Sequence, residues 1–202
     1  MDVPIVDDGH NPFSTRYTRP GALDYHFAAS DTAAQLVQRL RANGWWGQIV
    51  GPHGSGKSTL LATLLPLLAD AGRQTLSISL HQGDSRLPRL AELDRLDRDG
   101  QMVVDGYEQL GRLSRWRLSR RCRRQSCGLL VTAHRDLGLP TIVVVEPSLK
   151  TLQHVVARLL PAGDGAIRGA DIADAWQRSG GNMREALFAL YDLYELRRRE
   201  AD

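Results

Sequence analysis

Apolar residues along the chain follow two patterns up to about residue 147, short continuous runs and stripes with a helical period. The runs, which we expect to form strands, are 45–50, 74–80, 101–105, 128–132 and 141–145. Between several runs, apolar residues recur every three or four positions, as on a helix that packs one face against a core. Strands that alternate with helices favour a parallel sheet with right-handed crossovers. The last run is β-branched and continuous, which predicts a strand buried on both faces.

Helical signals mark the stretches between and after these runs. Ser30 is placed to cap a helix before the first run, residues 85–98 favour a polar helix or loop, and residues 107–124 favour a helix. After the last run only helical stripes remain. Asn182 precedes Glu185 by three positions, which predicts a capped start of the last helix. We therefore expect three parts, an extended segment over 1–29, an α/β core over 30–147 and a helical subdomain over 148–202.

A glycine-rich stretch joins the first predicted strand to the following helix. Its residues are Gly51, Pro52, His53, Gly54, Ser55, Gly56, Lys57, Ser58 and Thr59. The first eight match G-x-x-x-x-G-K-[ST] in the strand–loop–helix setting that this motif requires. Glycines let the backbone curl so that its N–H groups point at phosphate oxygens, and the positive end of the next helix favours the same anion. We expect Lys57 to reach the β- and γ-phosphates of a nucleotide and Ser58 to place its hydroxyl on Mg²⁺.

Two acidic residues follow the third predicted strand. Asp105 ends that strand, where a carboxylate can hold Mg²⁺ through water opposite Ser58. The alternative is an Asp that opens a turn with Gly106. Glu108 is the candidate general base for an attacking water. It could instead be a first-turn residue that favours a helix N-terminus, and both interpretations remain open.

The fourth predicted strand also ends in polar residues. Thr132 and His134 are candidates to contact the γ-phosphate or the attacking water, although a strand end also becomes polar on reaching solvent. Arg135 and Arg184 are candidate phosphate contacts, because an arginine can stabilise the charge of a phosphoryl-transfer transition state. Either could be an ordinary surface arginine.

The formal net charge is +3, which is too small to demand a nucleic-acid partner. Hydrophobic residues make up 42% of the chain, which is ordinary for a globular protein. Lys57 and Lys150 are the only lysines, so the basic residues are nearly all arginine. Several of these surround Trp116, namely Arg115, Arg117, Arg120, Arg121, Arg123 and Arg124. Such a cluster can bind a nucleic-acid backbone or form the solvated face of a helix, and both possibilities stay open.

The two cysteines and the hydropathy give an expectation for location. Cys122 and Cys127 form no C-x-x-C motif and have no His-rich neighbourhood, so we expect free thiols in a reducing cytoplasm. Residues 1–9 are polar and acidic, unlike a signal peptide. No apolar run reaches the ~18 residues that a membrane span needs.

Together these motifs resemble the additional-strand P-loop ATPases, and more narrowly a compact member of the AAA+ superfamily. The segments that carry this resemblance are 51–58, 103–105, 132–134 and 180–184, within a span of about 11–195. Two features depart from the family. Gly106 follows Asp105 where the family usually has Glu, and about eight residues separate the last two predicted strands. That short connection leaves no room for the helix that commonly ends in an arginine finger.

The resemblance implies a three-layer α/β fold whose five-stranded parallel sheet has the order 5-1-4-3-2, with a C-terminal helical lid. It implies ATP and Mg²⁺ as ligands. Arg184 would approach the γ-phosphate from the lid, as the sensor-2 arginine does in that family. Asn11 and Phe13 fall where such proteins often place the segment that flanks the adenine.

The leading hypothesis is an ATPase that acts as a switch or motor on a protein partner, or through self-association. A small-molecule kinase is a second possibility, with Asp84 and the arginines near Trp116 as substrate groups. A third is a nucleotide-dependent binding module with slow turnover, which could associate with DNA. A GTPase is disfavoured because no Asn-Lys-x-Asp occurs in the chain.

Overall fold

The computed structural model describes residues 10–27, 31–84, 90–161 and 163–201. The strands are β1 Trp46–Val50, β2 Gln74–Ser79, β3 Gly100–Asp105, β4 Gly128–Ala133 and β5 Thr141–Val144. The helices are α1 Thr15–Thr18, α2 Ala33–Ala42, α3 Lys57–Asp70, α4 Leu90–Leu93, α5 Arg112–Arg124, α6 Leu149–Leu159, α7 Gly169–Arg178 and α8 Met183–Ala201, with a 3₁₀ turn at Tyr107–Gln109. All five predicted strands are therefore confirmed, each within one residue at either end.

The five strands form one parallel sheet in the order β2-β3-β4-β1-β5, which confirms the predicted arrangement. The expectation that the last strand is buried on both faces is wrong. β5 pairs with β1 alone and lies at the sheet edge, so Thr141 is exposed and Val144 is 55% exposed. Ile142 packs into the core. The β-branched residues of this strand therefore indicate an extended, pleated backbone, and they do not show that the strand is buried on two sides.

Helices cover both faces of the sheet. On one face, α2 and α3 place Leu36, Leu40, Leu60 and Leu64 against residues of β1, β3 and β4. On the other, Leu118 and its neighbours on α5 pack against β3 and β4. Fully burying a leucine side chain stabilises a fold by roughly 1.5–3 kcal/mol. These two clusters hold the ends of β1, β3 and β4 in fixed positions.

The predicted helix over 107–124 is divided in two. Gly106 adopts a left-handed conformation, with φ of +80°, and starts a 3₁₀ turn at Tyr107–Gln109. The chain is then extended at Gly111, the N-cap of α5. The apolar spacing predicts helical structure in this region, but it does not reveal the break that the glycines allow. The break matters because it separates Glu108 from α5.

The last three helices form a cluster of their own with the N-terminal segment. Phe13 is 1% exposed and makes an edge-to-face contact with Tyr194 of α8, with ring centroids 6.0 Å apart. Asn11 Nδ2 donates to Tyr191 O at 3.0 Å and to a carboxylate oxygen of Glu195 at 2.8 Å. The segment around residues 11–13 is thus anchored on α8.

The caps of two helices bear on the sequence predictions. Asn182 Oδ1 accepts the backbone N–H groups of Arg184 and Glu185, at 3.1 and 3.3 Å, which confirms a capped start of α8. Thr32 caps α2 and forms a capping box with Gln35. The predicted cap Ser30, the stretch 1–9 and part of 85–98 lie outside the described residues. Within the described ranges, no helix is both long and apolar enough to cross a membrane.

Candidate nucleotide-binding site

The loop between β1 and α3 has the backbone that its glycines predict. Gly54 and Gly56 have φ of +67° and +92°, in the left-handed region that favours glycine. Lys57 Nζ donates to Gly51 O at 2.8 Å and to Pro52 O at 2.6 Å. The lysine therefore satisfies its ammonium group with carbonyls of the loop itself. Phosphate oxygens entering the loop would be alternative acceptors for the same donors.

Lys57 is also the electrostatic centre of the site. Its side chain is largely buried, and this burial lowers its pKa below the ordinary value. Glu108 and then Asp105 act to raise the pKa, and Arg184 acts to lower it. Residues from the 3₁₀ turn, β3 and α8 are therefore within electrostatic range of one ammonium group. The structure brings together four of the residues that the sequence proposes for catalysis.

The loop contains one further polar group without a partner. Ser55 is 3% exposed, and its Oγ makes no hydrogen bond within the described residues. A buried hydroxyl normally has a partner, so this one is free to interact with a ligand. The loop residues therefore fit a phosphate group, with N–H groups, a lysine and an unused hydroxyl in one place.

A threonine on the neighbouring strand fixes the candidate metal-binding acid. Thr132 Oγ1 donates to Asp105 Oδ1 at 2.6 Å and accepts the Gly106 N–H at 2.9 Å. Thr132 is 1% exposed, so its hydroxyl is committed to these two groups. These contacts support a positioning role for Thr132, and its expected contact with the γ-phosphate or the attacking water stays a prediction. Oδ2 of Asp105 remains the oxygen that could accept from a metal-bound water.

The metal expectation rests on a small set of ligands. Ser58 lies in the first turn of α3 and Asp105 at the end of β3, as the sequence predicts. Among the residues that the structure describes, no group of three or more His, Cys, Asp or Glu side chains could hold a metal ion. Mg²⁺ in a nucleotide site takes one or two protein oxygens plus phosphate oxygens and waters. The serine and the aspartate suit that type of site.

Glu108, His134 and His53 form a polar cluster beside Lys57. His134 Nε2 lies 3.2 Å from Glu108 Oε1, and the His134 ring centroid lies 3.4 Å from that of His53. Burial is the largest effect on His134 and lowers its pKa, so the imidazole is neutral at pH 7. We infer that the Nε2 hydrogen is donated to Glu108. The other carboxylate oxygen of Glu108 is buried and has no hydrogen-bond partner among the described residues.

The helical subdomain touches the loop directly. A Cβ atom added to Gly54 would overlap Oδ1 of Asn182, the residue that caps α8. Arg184 follows two positions later in the first turn of α8. In contrast, Arg135 is exposed and joins none of the contacts described for this site. Of the two candidate arginines, Arg184 is therefore the one that the fold places near Lys57.

The N-terminal segment contributes a residue that the sequence did not single out for the site. Asn11 and Phe13 were expected beside the adenine, but Phe13 is buried among the lid helices and every polar atom of the Asn11 side chain has a protein partner. This expectation is corrected. Tyr25 is the aromatic residue at the loop, with Cε2 3.5 Å from a Cβ built on Gly56. Its backbone N–H donates to Thr63 Oγ1 at 3.0 Å. No motif in the sequence links Tyr25 to the loop.

Comparison with known proteins adds evidence on the fold. No protein-family model matches the sequence. No curated protein matches it either. Solved structures do match, among them RuvB from Thermotoga maritima, described as a Holliday junction branch migration motor. It has a TM-score of 0.51 and 20% identity, over 75% of this chain and 57% of that one.

A second match covers more of both chains. The Walker-type ATPase paby2304 of Pyrococcus abyssi has a TM-score of 0.50 and 14% identity, over 93% of this chain and 80% of that one. The chain spans little more than half of the RuvB chain. At these identities the likeness establishes the fold: this chain has an AAA+-like P-loop NTPase fold, with the parallel sheet that the sequence predicts.

Proposed function

We propose that this protein binds ATP with Mg²⁺ and hydrolyses it as a switch or motor that acts on a partner. The observation that carries the proposal is the convergence on Lys57. Three charged groups from separate elements lie within electrostatic range of its ammonium group, namely Asp105, Glu108 and Arg184. A loop that only turned from strand to helix would not need two acids and an arginine around a buried lysine.

Each residue has a proposed role in holding the nucleotide. Lys57 would exchange the carbonyls of Gly51 and Pro52 for β- and γ-phosphate oxygens. Ser58 would hold Mg²⁺ directly and Asp105 through water. The metal, when bound, neutralises charge on the phosphates and orients them.

Glu108 is the proposed general base. A base must lie within hydrogen-bond reach of the attacking water, and one oxygen of Glu108 is buried beside the loop without a partner. His134 holds the other oxygen and so fixes the carboxylate. Arg184 would contact the γ-phosphate from the lid, where its charge opposes the negative charge of the transition state.

Two alternatives differ in what happens to the γ-phosphate. A kinase would need a substrate pocket, but Asp84 is exposed and accepts a hydrogen bond from the backbone of His81 at 2.8 Å. The arginines near Trp116 that were considered as a substrate clamp lie on a helix that covers the sheet. A binding module with slow turnover is the stronger alternative, because Gly106 follows Asp105 and Glu108 is held by His134.

A partner is part of the proposal because a second arginine at the γ-phosphate, in addition to Arg184, would have to come from a neighbouring molecule. Arg135 is exposed at the tip of β4 and could act on a neighbour only through association. A protein partner or a second copy would supply this arginine or respond to the nucleotide. Cys122 and Cys127 are free and buried, which supports the cytoplasmic setting that we propose.

The binding step is tested with the two lysines of the chain. We expect calorimetry to show ATP binding by the intact protein, stronger with Mg²⁺. Lys57→Ala should weaken it about 10- to 150-fold, the usual worth of hydrogen bonds from a charged group. Lys150→Ala, which removes an exposed lysine of α6, is the matched control and should bind as the wild type does. No ATP binding by the wild type would overturn the proposal.

The chemical step is tested separately by phosphate release. Glu108→Gln should lower hydrolysis by about 10²–10⁴-fold, the usual contribution of a general base, while ATP binding persists. Glu146→Gln changes an exposed glutamate and serves as the control. Wild-type protein that binds ATP but releases no phosphate, alone or with nucleic acid, would select the binding module. Phosphate that appears on a metabolite and not in solution would select the kinase.

A further inference from the structure

Helix α5 has an unusual charge for a helix that covers a sheet. It contains seven arginines and no acidic residue in 13 positions. Its inner face is ordinary, because Leu118 and Cys122 are buried against β3 and β4. Packing in the core therefore explains the residues at two positions of α5. It does not explain the arginines and apolar residues on the outward face.

The outward face forms a continuous stripe, which we call the α5 stripe. It consists of Leu113, Trp116, Arg117, Arg120 and Arg124. These positions follow the three- and four-residue spacing that places side chains on one side of a helix. Leu113 is 58% exposed and Trp116 is 55% exposed, although the chain buries most of its other large apolar side chains. An exposed indole is thus flanked by guanidinium groups.

The charges of the stripe are available to a partner. Asp94 pairs with Arg121, which lies beside the stripe, and Arg123 is stacked over Trp46, 5.0 Å from the ring centroid. Within the described residues no acid pairs with Arg117, Arg120 or Arg124. Such a concentration of unneutralised positive charge attracts polyanions.

We propose that the α5 stripe binds single-stranded nucleic acid. Arginines pair with phosphate oxygens through charge-assisted hydrogen bonds, and release of counterions from the strand adds affinity. Exposed Trp116 offers a face on which an unpaired base can stack, which a paired base inside a duplex does not provide. Arg120 lies over the Trp116 ring, 5.3 Å from its centroid, and supports the indole from one side. A polyanion without aromatic rings, such as polyglutamate, would use the charges but would leave the indole without a stacking partner.

The helix that carries the stripe contacts the 3₁₀ turn of the candidate base, although the stripe is a separate surface from the nucleotide site. Tyr107 belongs to the same 3₁₀ turn as Glu108 and donates its hydroxyl to Arg115 O of α5 at 3.2 Å. The same hydroxyl lies 3.2 Å from Ser119 Oγ. A strand bound on α5 would therefore contact the helix on which the turn with Glu108 is anchored. This inference goes beyond the proposed function and does not depend on it.

Fluorescence anisotropy with a labelled oligothymidylate of about 20 nucleotides tests the proposal. Trp116→Ala should weaken binding about 5- to 150-fold, the effect of losing one stacked base. The triple variant Arg117→Gln, Arg120→Gln, Arg124→Gln should make the negative slope of log affinity against log salt shallower by about two, because each phosphate contact to a single strand contributes about −0.7. An oligouridylate of the same length distinguishes RNA from DNA as the preferred strand.

Matched variants separate this surface from general charge and from the nucleotide site. The triple Arg41→Gln, Arg98→Gln, Arg178→Gln removes the same charge from exposed arginines elsewhere and should bind as the wild type does. Lys57→Ala should weaken ATP binding as described above and keep oligonucleotide binding. ATP binding by the α5 variants shows that they fold. Equal losses in both triples would overturn the proposal. Duplex binding that is as tight as single-strand binding and insensitive to Trp116→Ala would also overturn it. So would binding of polyglutamate that is as tight as binding of the oligonucleotide.

Discussion

At the scale of single residues, the imidazole of His134 has the most informative surroundings. Glu108 and Asp105 favour its protonated form, while burial, Lys57 and His53 oppose it. Burial has the largest effect, so the pKa of His134 in the folded protein is lower than its ordinary value of 6.5. A neutral imidazole can donate one hydrogen to Glu108 and so orient this side chain for its proposed role as base.

This lowered pKa predicts how stability depends on pH. As the pH falls through 6.5, His134 in the unfolded chain takes up a proton before the folded protein does, so stability falls. His134→Gln retains an N–H donor and removes this proton uptake. We therefore expect its free energy of unfolding to fall less steeply below pH 6.5 than that of the wild type. Urea unfolding at several pH values measures the two slopes, and equal slopes would contradict the prediction.

The sequence proposes the individual residues of the candidate site, whereas the contacts between these residues follow only from the fold. Lys57 and Ser58 follow from the spacing of one loop, and Asp105 from the end of a strand. The contact between His53 and His134 joins two residues that are 81 positions apart in the chain. No local sequence pattern encodes this contact. Such contacts depend on the register of β1 against β4, which is a tertiary property.

At the scale of elements, β3 and β4 are joined where the candidate metal site lies. Thr132 on β4 bridges the Asp105 carboxylate and the Gly106 N–H, and so aligns the two strand ends. A valine of similar shape at this position would leave the N–H without its acceptor and the carboxylate without its donor. A fully buried group left unsatisfied typically costs about 1–3 kcal/mol, and Asp105 and Gly106 are half-buried, so water can offset part of the loss at both groups.

Thr132→Val should therefore lower the free energy of unfolding by about 1–3 kcal/mol. It should also reduce the benefit of Mg²⁺ for ATP binding, because Asp105 would no longer be held in one orientation. Thr75→Val changes an exposed threonine on β2 and is the control for the threonine-to-valine change in a strand. Urea unfolding and calorimetry with and without Mg²⁺ give both readouts. Unchanged stability together with unchanged Mg²⁺ dependence would contradict the positioning role of Thr132.

The elements themselves were predictable where hydrophobic pattern and backbone geometry agree. All strands and their order follow from five apolar runs and the family resemblance, and the C-terminal helices follow from their apolar stripes. The exposure of β5 and the break before α5 do not follow, for different reasons. The composition of a strand does not report how many neighbours it has, and Gly106 and Gly111 permit a break without requiring one.

At the scale of the whole molecule, the glycine-rich loop lies between the sheet and the start of α8, which belongs to the proposed lid. Asn182 of the lid meets Gly54 of the loop, and Tyr25 of the N-terminal segment meets Gly56. The same segment is attached to α8 through Asn11. A nucleotide bound in the loop would therefore connect parts of the chain whose cores are otherwise separate. This arrangement predicts that ligand binding stabilises the molecule through the lid as well as through the loop.

Arg184 tests this connection, because it belongs to the lid and its proposed partner is the γ-phosphate. ATP at about 100 times its dissociation constant adds about 2.7 kcal/mol of stability, which for a domain of this size raises the Tm by roughly 5–10 °C. Arg184→Gln should reduce this shift to less than about half at the same ATP concentration, because a lost charge-assisted contact weakens binding about tenfold or more. The shift with ADP, which has no γ-phosphate, should stay as in the wild type. Arg178→Gln on α7, an arginine with a mostly exposed side chain, is the control. Thermal unfolding gives all of these values, and equal ATP shifts in wild type and Arg184→Gln would show that the lid arginine does not read the γ-phosphate.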